Sequence, residues 1–353
     1  MSVIDQQETR VSLYPSAVPQ RVIERIRQRS FRHVLERAVQ WDVTTVVVRS
    51  LLDDVNERMK GSLDEVDDAM IDLLTGLWSI KSVSSPQVWD RVGKQCLAHP
   101  LCRRIHEDPF ASRCFSKPRG YAGDAVLIDY LYFRNCHVNG NGTHVTPLGQ
   151  RIFDFTKEIP AGHAVRLRRD LMASIIDEVC TKTKNPRILS VACGHLREAV
   201  LSKAVHGRAH DRFVALDQDE QSLQLVEREV GGMGITPLCN SIKAMFRGEI
   251  AGESFDLIYT TGLYDYLDDR VASKLTQRMF EMLNPGGRLV VANFVPDIWC
   301  SAYMEAFLDW KLIYRSAEQM LGLCADIPES QTASCRTYVE ENKNIVFLDL
   351  TRS

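Results

Sequence analysis

The chain has 353 residues, room for roughly two compact domains, and its 45% hydrophobic and 25% charged shares are those of an ordinary globular protein. Its 43 basic and 46 acidic side chains leave a formal charge of −3, which excludes a global polyanion-binding surface and argues against nucleic acid as the main partner. No run reaches the roughly 18 apolar residues of a membrane span, and residues 1–10 are polar, without a signal core. The ten cysteines form no CxxC pair, so no metal centre is expected, and reduced thiols in a cytoplasmic protein without stable membrane insertion are.

In chain order, the first part reads as helical. Apolar residues recur at helical spacing over 22–39, 43–59 and 63–80, and Asp64, Glu65, Asp67 and Asp68 gather where negative charge suits a helix N-terminus. Residues 1–110 are therefore expected to form a helical domain, serving as a lid or as the interface of a homodimer. A connecting segment, 111–184, follows. It holds a turn-rich stretch from Lys117 to Asp124, a short helix over 125–133, an Asn/Gly loop over 139–142 and a longer helix over 164–181.

From residue 185 onward, strands and helices alternate. Strands are expected at 187–192, 213–216, 236–239, 255–259 and 288–292, with helices at 196–204, 219–230 and 268–283 between them. A long helix is expected over 301–321, and 336–340 with 345–350 reads as a closing antiparallel hairpin. The pattern calls for an α/β fold: a mostly parallel, seven-stranded Rossmann-like sheet with helices on both faces and the helical domain in front of it.

The chemistry should lie where the strands end. Ala192, Cys193 and Gly194 form a small-residue turn after the first strand, where a ligand can approach the backbone. Asp217 ends the second strand 23 positions after Gly194, close to the spacing of about 20 at which an acid meets a ribose. Gln218 follows it, and a carboxylate there can accept both ribose hydroxyls. Asn240 and Ser241 follow the third strand, where an amide can meet an adenine edge, and Thr260 and Gly262 follow the fourth. A single glycine in the first turn argues against a pyrophosphate, and so against a dinucleotide-dependent oxidoreductase. His195 is read either as a ligand contact or as a capping or solvent-facing histidine.

The glycine-containing turn, Asp217, the Phe255-Asp256-Leu257-Ile258 strand and the Leu283-Asn284-Pro285-Gly286-Gly287 turn occur in the order that marks class I S-adenosylmethionine-dependent methyltransferases, which this region resembles over about 187–291. The first motif departs from that family's pattern, with Ser190 in the place of an acid and Ala192 and His195 in those of glycines. The resemblance implies S-adenosyl-L-methionine as cofactor and a small-molecule methyl acceptor, and the terminal hairpin is what separates this fold from that of dehydrogenases. The Lys117–Asp124 loop, the Ala192–Ala199 turn and the Gly262–Leu267 segment also resemble a narrower bacterial group, likened to the 3-hydroxypalmitic acid methyl ester biosynthesis enzyme. That resemblance implies carboxyl O-methylation of a 3-hydroxy fatty acid.

For the acceptor side, Arg119 and Tyr121 in the Lys117–Asp124 loop are candidate binding residues, against a purely structural turn in which Arg119 pairs with Asp124 or Asp129. His163, Tyr264 and Asp265 are candidate catalytic groups, with His163 alternatively a helix cap. Tyr266, Asn293 and Tyr303 are candidate substrate contacts, and Trp299 is expected to pack in the core. Two other readings stay open: N- or O-methylation of a small polar metabolite, and a non-catalytic regulatory protein that binds the cofactor.

Overall fold

The computed structural model describes residues 41–137, 145–248 and 253–353, with side chains from residue 44. The helix expected over 22–39 and the loop over 139–142 lie outside them.

The N-terminal part is helical, as its periodicity requires. Helices α1 (Trp41–Arg58), α2 (Val66–Val83), α3 (Pro86–Ala98) and α4 (Leu101–Ile105) pack together, and α2 buries Val66, Met70, Leu73, Leu74 and Leu77 on one side. Each such side chain contributes about 1.5–3 kcal/mol through burial. The third helical run starts later than its acidic cluster implied, because Leu63–Glu65 form a 3-10 turn capped by Ser62. Next come α5 (Pro109–Ser116), α6 (Ala125–Phe133), α7 (Pro147–Thr156) and α8 (Pro160–Lys182).

The core sheet contains β1 (Arg187–Val191), β2 (Arg212–Asp217), β3 (Ile235–Cys239), β4 (Phe255–Thr260), β5 (Leu283–Phe294), β6 (Thr332–Val339) and β7 (Ile345–Arg352) in the order β3-β2-β1-β4-β5-β7-β6. Pairings are parallel through β5, and β7 runs antiparallel to β5 and β6. The expected fold class is thus observed. Helices α9 (Arg197–Leu201), α10 (Lys203–His206), α11 (Glu220–Val230), α12 (Ile242–Phe246), α13 (Asp269–Glu281), α14 (Ser301–Phe307) and α15 (Ala317–Gly322) complete it. One buried apolar cluster joins Val48 and Leu74 of the helical part to Phe213 and Phe347 of the sheet. Among the described residues no helix is long and apolar enough to cross a membrane.

Three local expectations need correction. The helix expected over 196–204 is split at Ser202, whose side chain caps α10 by accepting from Val205 N. The long helix expected over 301–321 is two short ones, α14 and α15. Asp309 takes a left-handed φ of 46°, and the chain then runs extended because Ile313 N bonds Asp265 O at 2.7 Å and Arg315 N bonds Phe294 O at 3.0 Å. The Pro285-Gly286-Gly287 turn lies inside β5, facing a register shift between Phe255 and Leu257. The FD strand explains part of this: Asp256 accepts from Asn284 Nδ2 at 2.9 Å and from Arg187 N at 2.8 Å, tying the entrances of β5 and β1 to β4.

Candidate functional site

The parallel order reverses at β1, which has β2 on one side and β4 on the other, and ligands in such sheets bind outside the carboxyl ends of the strands at that point. A cleft of about 600 Å³ opens there, within the range of small-ligand sites.

The strand side of the cleft is mostly backbone. In the turn after β1, Ala192, Gly194 and Leu196 have φ of 53°, 54° and 50°. This geometry costs an L-residue about 1–2 kcal/mol and a glycine almost nothing. At position 194 a Cβ would also meet the Ala125 Cβ at 3.2 Å. Cys193 N donates to Leu216 O at 3.1 Å and Gly194 N to Asp217 Oδ2 at 2.8 Å, so the turn is held against the end of β2. Asp217 Oδ1 accepts from Asp219 N at 2.9 Å. Burial pushes the Asp217 carboxyl above its ordinary range, with these backbone donors opposing the shift.

The facing side is made of side chains from the 117–124 loop, α6 and α8. Asp124 caps α6 through Leu127 N and receives both Nε and Nη2 of Arg113, at 3.0 and 2.8 Å. Arg119 pairs with neither Asp124 nor Asp129. Its guanidinium reaches Asp219 and, at 2.8 Å, Ser222 Oγ, clamping the loop to the start of α11. A Cβ at Gly123 would approach Tyr266 Oη to 2.5 Å, so only glycine lets the loop sit this close. Tyr121 lines the cleft half-buried, and its phenol is pushed up by burial and by Asp217 and Asp219.

Deeper in, Asp129 is fully buried on α6 and accepts from Arg197 Nε at 2.8 Å, Arg197 Nη2 at 2.6 Å and His195 Nδ1 at 2.7 Å. These donors outweigh its desolvation and hold the carboxyl below its usual range. His195 is therefore neither a cap nor solvent-facing, and its Nε2 is buried without a partner. Arg168 on α8 is also buried and donates to Thr261 O just beyond β4, while its Nε has no partner. Glu198 accepts from Tyr259 Oη at 2.8 Å, and burial raises its carboxyl.

The cleft brings together Ala192, Cys193, Gly194, Asp217, Gln218, Asn240, Ser241 and Gly262 from the expected cofactor set, and Arg119, Tyr121 and Tyr266 from the expected substrate set. The other candidates lie elsewhere. Thr260 is buried at the end of β4, one position before the lining begins. His163 is exposed in the first turn of α8, where Ile159 holds the cap position. Tyr264 is buried and its hydroxyl meets Thr276 Oγ1 at 2.7 Å, away from the lining. Asp265 is buried and accepts from Phe294 N at 2.8 Å, with its carboxyl pushed up to about 6 by desolvation. Asn293 is engaged by Arg315, Phe294 O and Ile313 O, and Tyr303 packs in the core beside Phe307, as Trp299 packs on Thr75.

Asp129, Arg168, Arg197 and Glu198 were not among the expected residues. Two of them left a trace. Asp129 is the one charge in the otherwise apolar Ala125–Phe133 run, and Arg168 interrupts the buried stripe Ala164, Met172 and Ile176 on α8.

Residues 188–287 match the family model described as a methyltransferase domain. Over that stretch the chain is similar to methyltransferase domains. The match supports S-adenosylmethionine as cofactor, and the cleft lies at the strand ends of the matched stretch, closed from the other side by residues 119–132 and Arg168. A possible exported protein from Bordetella parapertussis has the same fold, with 17% identity, 87% of this chain and 96% of that chain covered and a TM-score of 0.51. Magnesium protoporphyrin IX methyltransferase from Synechocystis PCC 6803, with bound SAH, aligns at 12% identity over 65% of this chain and 100% of that one, with a TM-score of 0.43. The N-methyltransferase NodS from Bradyrhizobium japonicum aligns at 12% identity over 52% and 96%, with a TM-score of 0.37. No curated protein sequence matches the chain.

Proposed function

We propose that the chain transfers a methyl group from S-adenosylmethionine to a small-molecule carboxylate, with a 3-hydroxy fatty acid as the acceptor class. The observation that carries the reading is one cleft, at the strand ends of the stretch that matches a methyltransferase domain, that gathers the turn after β1, Asp217 at the end of β2 and the segment after β4. The residues fit the cofactor. Each Asp217 oxygen accepts one backbone N–H and keeps a lone pair for a ribose hydroxyl. Asn240 stands after β3 for the adenine edge, and the Cys193-Gly194 turn permits close backbone approach.

When bound, S-adenosylmethionine supplies an electrophilic sulfonium methyl. The protein then has to hold the acceptor close, aligned and away from water. A carboxylate is already a nucleophile at neutral pH, whereas an amine or phenol needs a base. His163, Tyr264 and Asp265, the groups first expected to move a proton, all stand off the cleft, which supports the anionic acceptor. Ile128, Leu263 and Leu267 offer an acyl chain apolar contacts.

Labelled methyl donor offered with 3-hydroxy fatty acids, amines and phenols tests the reading. A base-labile methyl ester is the expected product, and transfer only to an amine or phenol overturns it. A second reading, O- or N-methylation of a small polar metabolite, rests on the Asp129–His195 pair. With Nδ1 donating to an ionised Asp129, Nε2 holds a lone pair able to take a proton. It predicts that His195→Ala abolishes transfer to a protic acceptor; the carboxylate reading predicts residual transfer.

A further inference from the structure

The amino-acid end of S-adenosylmethionine is a zwitterion, and burying it requires one fixed charge of each sign. The end of β1 and the turn after it supply none, since Ser190, Ala192, Cys193 and Gly194 are all neutral. Of the charged residues lining the cleft, most are already committed. Arg119 is spent on Asp219, and Asp129 takes both His195 and Arg197. Arg197 also holds Glu229, and Lys243 is exposed on α12. Asp217 receives two backbone donors.

Two groups of opposite sign remain. Arg168 is 5% exposed, and Glu198 is 7% exposed. Among the described residues neither makes an ion pair. The guanidinium bonds the Thr261 carbonyl and lies beside the Tyr132 phenol, and its Nε is buried with no acceptor. The carboxylate has the neutral Tyr259 hydroxyl, which also neighbours Ser190. The two groups feel one another electrostatically, yet no contact closes between them. A buried charge left without a counterion is destabilising, and a ligand that brings the missing partner relieves that cost.

We propose that Arg168 and Glu198 form the receptor for the amino-acid end of the cofactor, the guanidinium holding its carboxylate and Glu198 its ammonium. The assignment rests on reading the cleft as the donor site. In effect, the anion that Ser190 does not provide at the end of β1 is supplied from α9, and Tyr259 joins the two positions.

Calorimetric titration of the intact chain with S-adenosylhomocysteine and with 5′-methylthioadenosine, the same thioether nucleoside without the amino-acid end, tests this without turnover. Wild type should bind S-adenosylhomocysteine about 100-fold or more tightly than methylthioadenosine, since hydrogen bonds to charged groups contribute about 1.5–3 kcal/mol each. Equal affinities would overturn the assignment with no variant needed. Binding of neither nucleoside would overturn the cofactor reading with it. Arg168→Gln and Glu198→Gln should each weaken S-adenosylhomocysteine about 10–100-fold and leave methylthioadenosine within about twofold. A variant that leaves S-adenosylhomocysteine binding intact removes that residue from the receptor. Decarboxylated S-adenosylhomocysteine separates the two roles: its binding should respond to Glu198→Gln and not to Arg168→Gln, and the reverse overturns the assignment of carboxylate and ammonium.

Discussion

The two sides of the cleft are built by different means. On the strand side, positions follow from the sheet: Ala192 to Gly194 must turn where β1 ends, and Asp217 stands where β2 ends, with backbone amides on its oxygens. On the helical side nothing in the backbone dictates the surface, and it is assembled by side-chain networks such as Arg113–Asp124, Arg119–Asp219 and His195–Asp129–Arg197. The difference teaches where each kind of damage should appear. A change on the strand side should act on ligand affinity, whereas a change to one of these helical-side networks, as distinct from the unpaired Arg168, should act on stability first.

The largest effect is expected at Asp129. Asp129→Ala leaves Arg197 buried without its main partner, and losing one member of a buried pair costs about 3–5 kcal/mol, to be read from urea unfolding. A loss below about 1 kcal/mol would show that the network is not what holds the helical side. Next, Asp217→Ala should weaken S-adenosylhomocysteine about 100-fold in calorimetry, since the two charge-assisted bonds proposed to the ribose hydroxyls are lost, while freeing the Gly194 and Asp219 amides should cost less stability than Asp129→Ala does. If the two variants exchanged their signatures, the contrast between the sides would fail.

A third test uses pH. Asp265 is pushed up to about 6 from an ordinary 3.8, so between those values the folded state holds a proton that the unfolded chain has released. Its contribution therefore favours folding at low pH, is lost as pH rises from about 4 to about 6, and levels off above that. Asp265→Asn retains the acceptor for Phe294 N, and unfolding curves across that window should be flatter than those of wild type. An unchanged slope would show that the carboxyl is not carrying the extra proton. The smallest effect is expected at Tyr264. Tyr264→Phe removes one buried hydroxyl bonded to Thr276, costing about 1 kcal/mol of stability, and kcat and KM should stay within about twofold. A large loss of kcat would return Tyr264 to the reaction.

The strand side was legible because its signals are local. The small-residue turn, the 23-residue step to Asp217 and the Phe255-Asp256 strand each report where a strand ends or begins. The helical side was only partly legible. Arg119 and Tyr121 stood out in a glycine-flanked loop, but the partner of Arg119 lies 100 positions away and no spacing announces it. Tyr264, Asp265 and Asn293 misled for a related reason. Strand ends expose backbone to ligands, yet here the extended segment after α14 returns over them, and buried Arg315 binds Tyr264 O and Asn293 Oδ1 at 2.8 Å each.

The sequence by itself determined the alternation of strands and helices, the antiparallel ending and the strand-end positions that line the cleft. These depend on periodicity and turn chemistry, which act over a few residues. Only the tertiary structure decided which polar side chains meet in the cleft and which are drawn into the core. Pairings such as Asp129 with Arg197, or the approach of Arg168 to Thr261, join segments brought together by packing, and the cost of leaving a charge unpaired applies only after burial.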